Sequence, residues 1–413
     1  MDYFTIEELS KQWGISPRRI QTLCAHGKII GAIRFGRDWM IPRNAQKPVD
    51  GRTKAGRQGF DSQTVMPLPR KTPFLYMSDL YSQPGSAETS IANLAYHREA
   101  QMLLEAEIAY SRGQIDAVYQ HANYLLNRQS GFYAMISAGM LLALCAIWKG
   151  DLTMWRKAKV HIAEAPIQND RDRDIVLLSI SAIDAMLYDT SSFPEWFKIG
   201  CFEPLHKDAL PAAKVFYAKY LYAAGYGVAT KQFELKGVQG LALLNMIPNT
   251  IEPMISQAIV DQSVIAEMYL RMTCAAVYYT AGNDTQAIRH IDRAILLALP
   301  DKLYGFLAEY CRVLGALLED RIRRVDPEVW MQVQALYKVY NKGWSHLSGS
   351  VRGRTIITTL SNREREVAKL AAFGMQNAEI GEKLHMSLSG VKQAVRVVSE
   401  KTGVGRDQFA AFL

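Results

Sequence analysis

Cysteine is scarce in this sequence, and the short motifs of common enzyme classes are missing. The five cysteines are dispersed over 413 residues without a C-x-x-C pair. They therefore indicate neither a disulfide framework nor a thiolate metal site, and they are typical of core residues in a reduced compartment. The P-loop pattern GxxxxGK followed by Ser or Thr, HExxH and GxSxG are also absent. We expect no enzymatic activity, no cofactor and no metal ion.

The sequence also has little that indicates a signal peptide or a membrane-spanning segment. The N-terminal residues lack the basic start and the apolar run of a signal peptide. Residues 131–148 form a mostly apolar stretch without charge that is long enough to span a bilayer. A span there would put two basic chain ends on opposite sides of the membrane, and the stretch fits the helical pattern around it. We expect a core helix of a cytoplasmic protein, with a membrane span as the alternative.

Positive charge is concentrated at the two ends of the chain. The net charge is +8, from 48 basic and 40 acidic residues. Residues 1–71 hold 13 basic and 6 acidic side chains, residues 351–413 hold 10 and 6, and the middle is slightly acidic. This asymmetry indicates contact with a polyanion at both ends.

The composition divides the chain into four segments. Residues 1–43 and 351–413 are compact units, and residues 44–73, rich in Gly, Pro and charge, predict a flexible basic linker. Residues 74–350 read as successive helices in which aromatic residues precede polar or glycine turns, at Tyr110, Trp148, Tyr188, Tyr222 and Tyr279. Their spacings of 38, 40, 34 and 57 residues are mostly those of stacked helical hairpins, so this segment resembles tetratricopeptide repeats. A plain helical bundle is the alternative.

The first segment carries helix and hairpin signals in close succession. Thr5 and Glu8 form a capping box, Ser16 with Pro17 starts a second helix, and an alternating stretch around residues 35–38 predicts a hairpin. The run WGISPRRIQTLCAHGKI followed by RFGRDWMIP resembles the excisionase/MerR-like winged helix-turn-helix family. In a DNA complex the second helix would enter the major groove and the hairpin would contact phosphate or the minor groove. The candidate DNA-binding residues are Arg18, Arg19, Gln21, Thr22, Arg34 and Arg37.

The last segment has a second set of such signals. Ser361 and Glu364 form a capping box, a second helix is predicted over 378–384, and Ser387 caps a third. Val391, Ala394, Val395 and Val398 recur with helical spacing and are predicted to face inward. The stretch from Leu360 to Ala410 resembles the LuxR-type C-terminal DNA-binding domain. The opposite face of the third helix then supplies the candidate DNA-binding residues Ser389, Lys392, Gln393 and Arg396.

Tyrosines cluster in the middle of the chain. Tyr217, Tyr220, Tyr222 and Tyr226, and later Tyr278 and Tyr279, would line a groove for a peptide or a small ligand, or they would pack as core.

The predicted fold class is mainly α, a helical-repeat body between two helix-turn-helix domains, the N-terminal one with a small β-hairpin wing. We expect a cytoplasmic transcription regulator that binds double-stranded DNA. RNA polymerase, a second copy of the chain and an effector in the body are its further expected partners. The alternative is a scaffold protein whose terminal modules dock proteins.

Overall fold

Helices account for most of the protein in the computed structural model, which confirms the mainly α prediction. The structure describes residues 3–25, 29, 32–35, 38–43, 45, 47, 81–94, 98–128, 131–205, 209–231, 244–352, 360–402 and 404–411. Most of the predicted linker lies outside the described residues. Internal contacts divide the chain into two units, Met1–Pro67 and Leu68–Leu413.

The first unit contains the N-terminal head, which comprises the described residues between 3 and 47. Its elements are β1 (Tyr3–Phe4), α1 (Ile6–Trp13), α2 (Pro17–Ala25), β2 (Ile33–Phe35) and β3 (Asp38–Pro42). The predicted capping box starts α1, because the Thr5 amide donates to Glu8 Oε2 at 2.8 Å and the Glu8 amide donates to Thr5 Oγ1 at 3.3 Å. Strands β2 and β3 pair antiparallel with Phe35 opposite Asp38, so the predicted hairpin forms. Strand β1 pairs with β3 and completes a three-stranded sheet that the sequence analysis did not predict.

The second unit begins with a helical body. Its helices are α3 (Ala87–Ala92), α4 (Arg98–Arg112), α5 (Ile115–Asn127), α6 (Phe132–Lys149), α7 (Leu152–Ala163), α8 (Asp170–Ala185), α9 (Glu195–Lys198), α10 (Leu210–Lys231), α11 (Pro248–Val260), α12 (Val264–Ala281), α13 (Asp284–Ala298), α14 (Tyr304–Val325) and α15 (Pro327–Arg352). Neighbours in sequence pack as hairpins, for example α4 with α5, α6 with α7, α12 with α13 and α14 with α15.

Helix α6 is the apolar stretch for which a membrane span was the alternative. It is long and apolar enough to cross a bilayer, yet 83% of its 18-residue window is buried among other helices. Gly139 lets α7 approach closely, since a Cβ at this position would lie 2.6 Å from Cγ1 of Ile162. These contacts are those of a core helix.

The early and late helices of the body also pack against each other. Helix α4 contacts α14, and α6 contacts α15. Tyr81 donates to the Asp301 carboxylate at 2.6 Å across this junction. A Cβ on Gly305 would lie 2.4 Å from the Gly113 nitrogen, so the two backbones touch there. In a linear solenoid each repeat contacts only its neighbours. The contacts between the early and late helices of the body differ from that pattern. The tetratricopeptide-like stacking stays a prediction.

The second unit ends in a three-helix domain, the C-terminal head, which comprises the described residues between 360 and 411. Its elements are α16 (Asn362–Ala372), α17 (Asn377–Leu384), α18 (Leu388–Thr402) and a 3-10 helix (Arg406–Ala411). The second helix begins one residue earlier than predicted. Val367, Ile380, Val391 and Val398 are fully buried in its core, and Phe409 closes it from the 3-10 helix.

Candidate nucleic-acid interface

The C-terminal head is held together by polar contacts between its helices. The predicted capping box forms, with the Ser361 amide donating to Glu364 Oε2 at 2.7 Å. Glu364 also accepts from Lys401 Nζ at 2.7 Å, which ties α16 to the end of α18. Arg406 donates to Asn377 Oδ1 and to the Met375 carbonyl, which fixes the 3-10 helix against α17. These charged residues therefore connect the helices of the domain to one another.

Helix α18 presents one polar face to solvent. The Gly390 amide donates to Ser387 Oγ at 3.1 Å, so Ser387 caps the helix as predicted. Val391 and Val398 are fully buried, and the predicted inward residues Ala394 and Val395 are half-buried against the same core.

The four candidate residues of this helix lie on the outer side. Ser389, Lys392, Gln393 and Arg396 are all exposed. Arg396 Nε donates to Glu400 Oε1 at 2.9 Å, one turn later on the same helix. Arg or Lys forms hydrogen bonds with guanine or phosphate, and Gln forms them with adenine. The face has the donors and the acceptor that reading a DNA major groove requires.

A comparison with known families identifies this domain. Residues 358–412 match the family model of bacterial regulatory proteins, luxR family. The match spans the C-terminal head, which we call the LuxR-type domain below, and it implies a DNA-binding transcription regulator. No curated protein and no solved structure matches the chain. The resemblances of the N-terminal head and of the body stay predictions.

The N-terminal head exposes its candidate residues on one helix and one strand. Arg18, Arg19, Gln21 and Thr22 are exposed on α2 and Arg34 is exposed on β2, whereas Arg37 lies outside the described residues. On the other side of α2, Ile20, Leu23 and Cys24 are buried. Thr22 Oγ1 donates to the Arg18 carbonyl at 2.9 Å, so its hydroxyl is already engaged with the helix backbone.

The LuxR-type domain docks on the body at a break in helix α14, which the sequence analysis missed. Gly315 has φ 51° and ψ −128° inside this helix. In a continuous helix the amide of residue 316 would bond to the carbonyl of residue 312. Here the Ala316 amide donates to Glu366 Oε1 at 3.0 Å. Lys369 Nζ donates to the carbonyls of Arg312 at 3.0 Å and Val313 at 2.8 Å. Helix α16 thus satisfies the backbone groups that the break leaves open.

Further contacts complete this docking surface. Tyr279 donates its hydroxyl to Glu366 Oε1 at 2.8 Å, and burial, followed by the negative charge of Glu366, raises the pKa of Tyr279. Phe373, which follows the last residue of α16, packs into the core of the body. Burial, followed by the positive charges of Arg365 and Arg312, lowers the pKa of Lys369 to about 7. The domain and the body are therefore joined by partly buried polar contacts and by the buried side chain of Phe373.

Among the described residues of the body, one group of side chains has metal-ligand chemistry. Ligand atoms of Glu252, Cys274 and His290 all lie within 4.8 Å of one another. His290 Nε2 lies 3.0 Å from Glu252 Oε1, and the ring of Tyr278 stacks on the imidazole at 5.7 Å between centroids. Burial lowers the pKa of His290. An oxygen, a sulfur and a nitrogen donor suit a transition metal, and the long spacings between these residues hide the cluster from motif searches.

Proposed function

We propose that the protein is a transcription regulator that binds DNA through two helix-turn-helix heads carried on one chain. The observation that carries this proposal is the exposed face of α18 with Lys392, Gln393 and Arg396, in a domain that matches the luxR family. The exposed pair Arg18 and Arg19 on α2 supports a second DNA-binding head.

Each candidate residue has a distinct role in this proposal. Lys392 and Ser389 bind phosphate and set the register, whereas Gln393 and Arg396 read base edges in the major groove. Arg396 would exchange its contact with Glu400 for a base. Because that ion pair is exposed on both sides, losing it has little effect on stability.

Two tethered heads explain how weak individual contacts produce a specific regulator. A single head that relies on phosphate contacts binds with moderate, salt-sensitive affinity. Joining two heads makes the second binding event intramolecular and favours a long composite site. In this proposal the protein is cytoplasmic, not membrane-bound and not an enzyme. Its body senses an effector, contacts RNA polymerase or pairs with a second copy.

The experiment is a genomic selection with matched variants. The purified protein is incubated with sheared genomic DNA of the source organism at moderate salt, and the bound fragments are sequenced. Lys392→Ala with Arg396→Ala and Arg18→Ala with Arg19→Ala are run in parallel. The control is Arg156→Ala with Lys157→Ala, which removes the same charge from an exposed part of the body.

The proposal is supported if the recovered DNA forms sharp peaks that persist in the control and disappear in a head variant. The variant that loses the peaks identifies the head that reads the site. Equal, flat recovery from all four proteins contradicts the proposal. Binding to a protein partner that survives both head variants would then favour the scaffold alternative.

A further inference from the structure

A cleft opens in the body directly behind the segment on which the LuxR-type domain docks. It lies between helices α8, α10, α12, α14 and α15 and is open to solvent on one side. Much of the wall is aromatic, and the rings are those of Tyr188, Tyr222, Tyr310, Tyr340 and Trp344.

Three charged side chains also line this cleft, Lys219, Glu309 and Arg312. The Glu309 carboxylate already accepts hydrogen bonds from Tyr110 at 2.5 Å and from Tyr269 at 3.2 Å. The charges of Lys219 and Glu309 also attract each other. Among the described lining residues the cleft has two cations and one carboxylate, so its lining carries a net positive charge. This charge balance favours an anion.

Arg312 is held in place from both sides. Its guanidinium lies 3.8 Å from the centroid of the Trp344 ring, and Nη1 donates to Asn341 Oδ1 at 3.2 Å. Only 4% of Arg312 is exposed. Burial, followed by the positive charge of Arg365 in the docked domain, lowers the pKa of Arg312 to about 10. A cation that is ordered before its ligand arrives loses little entropy on binding.

Two residues that line the cleft also contact the LuxR-type domain. Arg312 and Val313 line the cleft, and their backbone carbonyls accept the two hydrogen bonds from Lys369. Arg312 and Arg365 lie close enough to Lys369 for their positive charges to lower its pKa. A negative charge beside Arg312 would offset this mutual repulsion and so strengthen the docking.

We propose that the cleft binds a small organic carboxylate with an aromatic or aliphatic body, and that its occupancy tightens the docking of the LuxR-type domain on helix α14. The carboxylate lies between Lys219 and Arg312, and its apolar part packs on the tyrosines and Trp344. The consequence for DNA rests on the proposed function, whereas binding and docking do not.

The first test measures affinity by calorimetry on the full-length chain. The probes are benzoate, phenylacetate, 4-hydroxyphenylacetate and indole-3-acetate, each beside its neutral amide. We expect at least one carboxylate to bind more tightly than about 1 mM and its amide to bind about tenfold more weakly. Lys219→Met should remove this preference. Lys214→Met, on the same helix but outside the cleft lining, should keep it.

The second test measures docking by hydrogen exchange of residues 312–318 with and without the bound carboxylate. We expect slower exchange in this segment and in α16. The proposal is overturned if no probe binds at about 1 mM, if carboxylate and amide bind equally, or if binding leaves the exchange unchanged. DNA binding is measured separately, so its failure alone would count against the proposed function and leave this inference in place.

Discussion

Replacing Glu366 by Ala should release the LuxR-type domain from the body. Glu366 is 4% exposed, and its Oε1 accepts from the Ala316 amide and the Tyr279 hydroxyl. A hydrogen bond to a charged group contributes about 1.5–3 kcal/mol, so the two together contribute about 3 kcal/mol or more. In the docked state the substitution also leaves both donors without this acceptor. Exchange of the amides in residues 312–318 should accelerate by about 100-fold, since each 1.4 kcal/mol is a factor of about ten.

Two further variants separate docking from folding of the domain itself. Glu366→Gln keeps an oxygen acceptor for both donors, so it should restore most of the protection of residues 312–318. Glu364→Ala removes the contact with Lys401 inside the domain, so it should accelerate exchange in α16 and α18 but not in residues 312–318. The reasoning is refuted if Glu366→Ala exchanges like the wild type in that segment, or if Glu364→Ala produces the same pattern.

Four other predictions concern the docking surface and the exposed face of α18. Gly315→Ala should weaken docking by about 1–3 kcal/mol, because the position has a positive φ and the new Cβ would lie 2.6 Å from Glu366 Oε1; unchanged thermal unfolding and unchanged exchange would contradict this. In the docked state, burial followed by the charges of Arg365 and Arg312 lowers the pKa of Lys369 from its ordinary value of 10.5 to about 7, so the docked state binds fewer protons between these values. Docking should therefore strengthen as pH rises from about 7 to about 10.5, and this dependence should disappear in Lys369→Met. Lys392→Ala should weaken binding to all DNA sequences and lower the slope of log K against log salt by about one. Arg396→Ala should reduce the difference in affinity between matched and scrambled DNA sites. An equal loss of affinity for both sites would exclude a base contact.

The parts of the fold that depend on local sequence were predictable. The capping boxes at Thr5 and Ser361 involve residues three apart, and both form. The inward residues of α18 follow from one helical period, and Val391 and Val398 are buried as expected. The sheet with β1 was missed because a two-residue strand carries no periodicity of its own.

The docking surface was not predictable, because it depends on contacts across long separations in sequence. Helix α16 has two buried faces. Val367 and Ala371 point into its own domain, whereas Glu366, Lys369 and Phe373 contact the body. The sequence contains a signal for this second face, since Glu366, Lys369 and Phe373 recur at i, i+3 and i+7. From the sequence alone, charged residues in that pattern predict a solvent-exposed surface, because the sequence does not show that α14 breaks at Gly315.

The docked arrangement leaves the candidate DNA-binding face of α18 uncovered, which restricts how the body could influence the domain. Lys392, Gln393 and Arg396 are exposed while Glu366 and Lys369 hold the domain on α14. Docking therefore does not block DNA by covering that face. What docking changes is the orientational freedom of the LuxR-type domain. Because the effective concentration of a tethered head depends on its geometry, a change in docking strength would alter the binding of long composite sites more than the binding of short half-sites. Equal effects of Glu366→Ala on both classes of site would contradict this argument.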